Sequence, residues 1–189
     1  MANNKVEFGI SNLYVGTYTV SSSGTVTLGT PYHQPGAVSF SPDNNDGDEN
    51  AFYADNVKYW SEFTAGAFSG DLTVAKFDDT FKTQFCGYTA TATGGIGAVK
   101  GATKPKVYVV FQVEGDAEAR RVICYNCTLG GITRAYNTWT DTKTPDTETM
   151  TVNVDGDNAT GLTMVTYKPD DSSYDTMFTA PPVPALPSN

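Results

Sequence analysis

The stretch KVYVVFQVEGDAEARRVICYNCTL, residues 106–129, contains the two strongest β-strand patterns of the chain. Lys106 to Val113 and Arg120 to Leu129 are rich in β-branched and aromatic residues. The turn Glu114-Gly115-Asp116 between them predicts an antiparallel pair. Because Val107 to Phe111 is apolar at almost every position, we expect that strand to be covered on both faces.

Further strands are predicted on both sides of this pair. Ser21-Ser22-Ser23-Gly24 is a turn signal that joins the first two strands in a hairpin, and Asp155 to Asn158 is expected to join the last two in another. The predicted strands are Val6 to Thr19, Thr25 to Tyr32, Ala37 to Ser41, Ala51 to Ala54, Phe68 to Phe77, Thr147 to Val154 and Leu162 to Lys168.

One short helix is predicted from Asp78 to Cys86. Asp78 or Asp79 can cap its N-terminus, and Gly87 is well placed to end it. Phe81 and Phe85 lie four residues apart, so both fall on the face that packs against a sheet. The segment Thr89 to Thr103 is rich in Gly, Ala and Thr without a clear pattern, and it is interpreted as a long loop.

These elements predict a mainly β fold of two packed antiparallel sheets, a sandwich or a partly closed barrel, with one flanking helix. Residues 1–169 are expected to form this domain. Residues 170–189 are polar and then Pro-rich (PPVPALP), and they are expected to form an extended C-terminal arm or a disordered tail.

Composition limits the possible functions. The chain of 189 residues has 21 acidic and 12 basic residues, a net charge of −9, which argues against nucleic-acid binding as the main task. The start MANNKVEFG has no apolar run, so we expect no signal peptide, and no apolar stretch is long enough to cross a membrane. Three Cys residues without an export signal indicate a reducing compartment.

The most distinctive polar segment is Pro35 to Trp60, PGAVSFSPDNNDGDENAFYADNVKYW, in which an acidic loop leads into four aromatic residues. Tyr, Trp and Phe are enriched at the centres of protein interfaces, so the segment is a candidate contact surface. In the alternative interpretation, Phe52 and one or two neighbours fill the core of this chain. The candidate contact residues are Phe52, Tyr53, Asp55, Asn56, Tyr59 and Trp60.

Motifs for catalysis and ligand binding are weak. Cys124 and Cys127 have CxxC spacing, but too few further ligands are evident for zinc, and residues three apart on a strand are expected to face opposite sides. The acidic loop before Asn50 fails the calcium-loop pattern, the glycine run from Gly94 is not a phosphate loop, and His33 has no nucleophile motif beside it. We therefore expect no enzyme activity, no cofactor and no bound metal.

Several segments, in this order and spacing, resemble one family. They are NKVEFGISNLY (4–14), PGAVSF (35–40), FYADN (52–56), GDLTVA (70–75), DDTF (78–81), KP (104–105), YNCT (125–128) and DTETMTV (146–152). Through these segments the chain is similar, over roughly residues 3–168, to the major tail protein, or tail tube protein, of long-tailed, non-contractile bacteriophages.

The resemblance implies a structural virion protein that is made in the host cytoplasm and assembles with itself. Six-fold rings would stack into a hollow tube that encloses the tape-measure protein and later conducts DNA into the host cell. Tail initiator and terminator proteins are further implied partners, while DNA is present only in transit. On this basis the loop Ser41 to Glu62 and the segment Asp170 to Asn189 are candidate ring contacts.

A second hypothesis comes from a different class of protein. Exposed Tyr53, Tyr59 and Trp60 could stack on sugars, as in a carbohydrate- or receptor-binding β-sandwich module of a virion or cell surface. That hypothesis predicts glycan binding by a monomer and no ring formation.

Overall fold

The computed structural model describes residues 8–43, 50–62, 66–138 and 145–187. The first two residues of the strand predicted from Val6 lie outside these ranges. In chain order the described elements are β1 (Gly9–Val20), β2 (Val26–Leu28), β3 (Tyr32–His33), β4 (Ala37–Pro42), β5 (Asn50–Ala54), β6 (Val57–Glu62), β7 (Phe68–Val74), α1 (Asp79–Phe85), β8 (Tyr88–Ala90), β9 (Ile96–Ala98), β10 (Val107–Glu114), β11 (Arg121–Arg134), β12 (Glu148–Val154) and β13 (Met164–Tyr167).

The main sheet is antiparallel and has the order β2-β1-β10-β11-β12-β7-β4, with β3 paired to β1 and β13 paired to β11. It folds over a core to which β1 and β4 both contribute, and Phe40 of β4 lies 5.6 Å from Phe111 of β10, measured between ring centroids. The predicted mainly β, sandwich-like fold with one short helix is confirmed.

β10 is buried on both faces, as its apolar sequence predicts. Val107, Val109 and Phe111 belong to the inner core between the two halves of the sheet. Tyr108 and Val110 belong to a second cluster on the opposite face. Strict alternation along an extended strand produces this division, so each face of β10 needs its own cover.

The second cluster is covered by the C-terminal segment, and here the structure differs from the expected extended or disordered arm. Residues 169–180 form successive turns, and Met177 is fully buried against the sheet. The Arg121 guanidinium lies between the rings of Tyr174 and Phe178, at 3.9 and 4.4 Å from their centroids. Residues 181–187 continue without regular structure, and Tyr125 donates a hydrogen bond to the Pro182 carbonyl (2.9 Å).

The helix matches its prediction. Phe81 and Phe85 are buried in the inner core, and Gly87 follows the C-cap with φ of 71°. Asp78 occupies the N-cap position but makes no side-chain cap hydrogen bond; it accepts one from the Tyr32 hydroxyl instead. Side chains from other parts of the chain bind the backbone N–H groups just before the helix. The fully buried Gln34 side chain accepts a hydrogen bond from the Asp78 N–H, and the Glu148 carboxylate accepts one from the Phe77 N–H.

The pairing predicted between the last two strands is wrong. β12 pairs with β7 and β11, while β13 pairs with a different part of β11, because that strand is 14 residues long and has room for both along one edge. Residues 155–161 are therefore a folded loop and not a hairpin turn. Asp157 is buried in it and accepts hydrogen bonds from the Tyr18 hydroxyl and from Thr160.

The predicted long loop from Thr89 to Thr103 contains the hairpin β8–β9. Thr91 closes its turn by accepting the Gly95 N–H on its side-chain oxygen, and Gly94 adopts φ of 91°. Ser21, Gly24 and Thr25 make the same contacts in the β1–β2 turn. The two turns share a hydroxyl residue followed three positions later by glycine, so the same local pattern indicates both.

The buried carboxylate of Glu148 gives one prediction. It lies 3.4 Å from both Lys82 Nζ and Arg134 Nη1, so Glu148→Gln leaves two cations without their partner. Removing one member of a buried charge group typically costs about 3 kcal/mol of unfolding free energy, which urea denaturation would measure. The matched control Glu62→Gln, on an exposed residue, should change little; equal effects of the two variants would contradict the buried network.

The docked C-terminal segment gives a second prediction. Met177→Ala should lower the unfolding free energy by about 2 to 5 kcal/mol, because it leaves a cavity in the second cluster. Met164→Ala, on a side chain that is 43% exposed, serves as the control and should have a much smaller effect. If both variants melt at the wild-type temperature, the segment does not pack on the sheet as described.

Candidate assembly surface

The aromatic segment forms a separate hairpin of β5 and β6. Asp55 and Asn56 make the connecting turn with φ of 52° and 61°, the left-handed conformation at both central positions that a two-residue hairpin turn requires. Asp and Asn tolerate this conformation better than other non-glycine residues. Aromatic and β-branched residues on both sides of the turn favour the paired strands.

The register divides the side chains between the two faces of the hairpin. Phe52 lies opposite Trp60, and Tyr53 lies opposite Lys58. The register shifts by one residue between these pairs, so Tyr59 is the extra residue of a β-bulge on β6. Since neighbouring residues of a strand alternate, aromatic rings project from both faces.

All four aromatic side chains are exposed: Phe52 by 58%, Tyr53 by 65%, Tyr59 by 78% and Trp60 by 46%. The alternative in which Phe52 fills the core is therefore not what the structure shows. Val57, which sequence reasoning did not single out, is 63% exposed and lies across from Ala54 beside the turn. The sequence feature that indicates Val57 as a surface residue of the hairpin is its position directly after Asp55-Asn56, at the start of an aromatic strand.

Within the described ranges, β5 and β6 pair only with each other. The strand predicted from Ala51 to Ala54 is thus one arm of this hairpin. A two-stranded hairpin alone in water is marginally stable, and exposed apolar groups on both of its faces are unfavourable. The hairpin, residues 50–62, is accordingly the best candidate contact surface of the chain, and the contact itself stays a prediction.

The ends of the main sheet are a second candidate. β2 pairs with β1 and β4 pairs with β7, and each stands at one end of the strand order. Edge strands present N–H and C=O groups to which another chain can pair.

The cysteines lie in the core. Cys86, Cys124 and Cys127 are free and buried, and burial raises the pKa of the Cys86 thiol to about 11 and that of Cys124 to about 12. The expectation that Cys124 and Cys127 face opposite sides is wrong. A bulge at Asn126, which has φ of 51°, brings both into the inner core.

The other candidate ligands have structural roles. Both carboxylate oxygens of Asp157 accept hydrogen bonds; burial by itself would raise its pKa, but the bonds from Tyr18 and Thr160 outweigh burial and lower it. The acidic loop at residues 44–49 lies outside the described residues. In the described part of the chain, no group of three or more His, Cys, Asp or Glu side chains is placed to hold a metal ion.

No helix in the described ranges is long and apolar enough to cross a membrane.

Comparison with known proteins found two solved structures that are similar to this chain. One is from the sheath–tube complex of an extracellular contractile injection system (PVC) in the extended state, and one is from the tube-terminating cap of the anti-feeding prophage. The first has 9% identity, a TM-score of 0.47 and coverage of 86% of this chain and 94% of that one. The second has 11% identity, a TM-score of 0.45 and coverage of 89% and 99%.

No curated protein matches the chain. The family model described as "Phage tail tube protein" matches residues 1–183, nearly the whole sequence. The tail tube resemblance seen in the sequence is confirmed, whereas the narrower assignment to non-contractile tails stays a prediction. The chain belongs to the phage tail tube protein family, and it is a structural component of the virion tail.

Proposed function

We propose that this chain assembles with copies of itself into six-fold rings that stack into the hollow tube of a long, non-contractile tail. The tube encloses the tape-measure protein and later conducts DNA into the host cell. Tail initiator and terminator proteins bind its two ends, and DNA is a partner only in transit. In this role the chain catalyses no reaction.

The exposed aromatic hairpin is the observation that carries this proposal. The hairpin presents the large rings of Phe52, Tyr53, Tyr59 and Trp60 on both faces, and among the described residues its strands have no partner outside the hairpin. In interfaces, Trp and Tyr supply a large share of the binding energy once water is excluded. A hairpin with two such faces can insert between two neighbouring subunits. Asp55 and Asn56, at the tip of the hairpin, can then make additional contacts to a neighbouring subunit.

The two edge strands support assembly within a ring. If an edge of one subunit pairs with an edge of the next, β2 and β4 lose their unpaired backbone groups and the sheets of the subunits become continuous. Each subunit carries a net charge of −9, so these contacts must also outweigh repulsion between copies. Screening by salt should therefore favour assembly.

We also propose the division of the chain into a tube domain, residues 1–169, and a C-terminal segment, residues 170–189, as a second contact between rings. Buried Met177 ties the first part of this segment to its own subunit. Val183 and Leu186 beyond it are 51% and 57% exposed, so the later part is the one that offers apolar side chains to a neighbour.

The double variant Tyr59→Ala/Trp60→Ala tests the proposal. We expect wild-type protein, when concentrated, to form rings or hollow tubes with six-fold end views in negative-stain electron microscopy and to scatter light accordingly. The double variant should keep the wild-type circular dichroism spectrum and melting temperature. Its threshold concentration for assembly should rise by more than about tenfold, since two interface aromatics contribute more than about 1.4 kcal/mol.

The control is Tyr136→Ala, which removes a ring that is 86% exposed outside the hairpin and should leave assembly unchanged. Normal tubes from the double variant would show that the hairpin is not a contact. Unfolding of the double variant would show instead that Tyr59 and Trp60 stabilise the monomer. A wild-type chain that stays monomeric at all concentrations and binds glycans through these rings would favour the carbohydrate-binding hypothesis.

A further inference from the structure

A cleft of about 330 Å³ lies between the β8–β9 hairpin and the middle of β11. Cys86, Tyr88, Val99 and Ile132 are among the residues that line it. Cys86 belongs to the inner core, Tyr88 and Ile132 pack against that core, and Val99 is 50% exposed. The cleft therefore leads from solvent to the edge of the inner core, and we call it the glycine cleft after the two adjacent glycines in its lining.

These two glycines, Gly130 and Gly131, leave the space of the cleft open. They lie in the bulge where the pairing of β11 with β12 shifts between Leu129 and Ile132. A Cβ atom added to Gly131 would meet nothing within 4 Å beyond its chain neighbours. The Lys104 ammonium group donates hydrogen bonds to the carbonyls of Leu129 and Gly130, so the bulge is held in place.

The cleft is large enough for an aromatic side chain. A cavity of about 150 Å³ lined by apolar side chains can bind benzene. The glycine cleft therefore has room for an indole ring and part of a second ring. None of the described residues that line it belongs to the β5–β6 hairpin, so this chain does not fill the cleft with its own exposed rings.

The chain around the cleft is basic, although the whole protein is acidic. Residues 80–113 contain no Asp or Glu and four lysines, which are Lys82, Lys100, Lys104 and Lys106. The first and last of these pair with Glu148 and Asp155. The other two belong to the loop beside the cleft, and Lys104 is part of the lining. A partner of this surface is therefore expected to be acidic as well as aromatic.

The β5–β6 hairpin lies in a segment of the opposite charge. Residues 43–62 contain one basic residue, Lys58, and six acidic residues, which are Asp43, Asp46, Asp48, Glu49, Asp55 and Glu62. Two copies with a net charge of −9 each repel as wholes. An acidic segment of one copy placed on the basic segment of another is attracted locally, which favours this orientation over others.

We propose that the glycine cleft of one subunit receives the Trp60 ring from the hairpin of a second copy, with Phe52 beside it. This inference rests on the proposed function, because it names the partner surface of the hairpin in the assembly. Phe52 and Trp60 are cross-strand partners, so one face of the hairpin presents both rings together. A large ring in a pocket that excludes water is the typical centre of a protein interface.

Filling the cleft tests the proposal. Gly131→Leu places a side chain in the open space, and Gly131 does not have the positive φ that would strain a leucine. We expect its threshold concentration for assembly to rise by more than about tenfold, as expected for loss of a central contact. Ala90→Leu adds apolar bulk to the same hairpin at an exposed residue outside the lining, and it should assemble like wild type.

Combining Gly131→Leu with Trp60→Ala shows whether the two residues share one contact. If the ring enters the cleft, the double variant should have a threshold close to that of the more affected single variant. Two independent contacts would instead multiply the two increases, and that result would overturn the proposal. Wild-type assembly by Gly131→Leu would overturn it too.

Cross-linking tests the contact without filling the cleft, and it decides the question if Gly131→Leu lowers the melting temperature. Ser61→Cys lies next to Trp60, and Thr103→Cys lies in the loop beside the cleft; both positions are exposed, whereas the native cysteines are buried. Subunits with one change each would be mixed, assembled and treated with a short bismaleimide. We expect dimers that join the two variants. Ser23→Cys, in the exposed β1–β2 turn, replaces Thr103→Cys in the control and should give no such dimers.

The outcomes separate this inference from the proposed function. Normal tubes in which Ser61→Cys joins to Ser23→Cys and not to Thr103→Cys would overturn the cleft as the partner surface, while the proposed function stands. Failure of wild-type protein to form any tube, including with its initiator complex, would overturn the proposed function and this inference with it.

Discussion

The structure depends on one constraint, the need to cover both faces of β10. Val107, Val109 and Phe111 point to one side, and Tyr108 and Val110 point to the other. Burial of apolar surface stabilises a fold by about 25 cal/mol per Å², so neither face can be left in water. The folded-back half of the sheet covers the first face, and the C-terminal segment covers the second. With these two covers in place, the outer side of β12, β7 and β4 is a sheet surface that stays exposed in the part of the chain that the structure describes.

Local sequence patterns predicted the elements that depend on neighbouring residues. The turn at Glu114-Gly115-Asp116, the helix with Phe81 and Phe85, and the double cover of β10 all follow from spacing within a few residues. The strands that pair with β12 could not be predicted, because its alternating pattern suits any neighbouring strand. The length of β11 decides the pairing, since β11 has room for both β12 and β13. The bulge at Asn126 could not be predicted either, since Asn permits a positive φ without requiring it.

For the candidate contact surface, too, only the features that depend on neighbouring residues could be predicted from the sequence. The aromatic residues from Phe52 to Trp60 stood out as a contact surface because a polar loop and dense rings are visible in sequence. Their division between two faces was not predictable, since it depends on the bulge at Tyr59. The alignment of outward Ser and Thr residues across β12, β7 and β4 was not predictable either, because they come from separate strands and each alone is an ordinary outward strand residue.

Exposed rings are unevenly distributed over the described surface of this chain. Large rings are concentrated on the β5–β6 hairpin, whereas the outward positions of β12, β7 and β4 carry short polar side chains. In the proposed assembly the hairpin gains most from contact with another copy, because burial of its apolar surface is worth about 25 cal/mol per Å². Each copy carries a net charge of −9, so that gain must outweigh the repulsion between copies. A contact made by concentrated apolar rings meets this requirement, because the hydrophobic effect does not depend on charge.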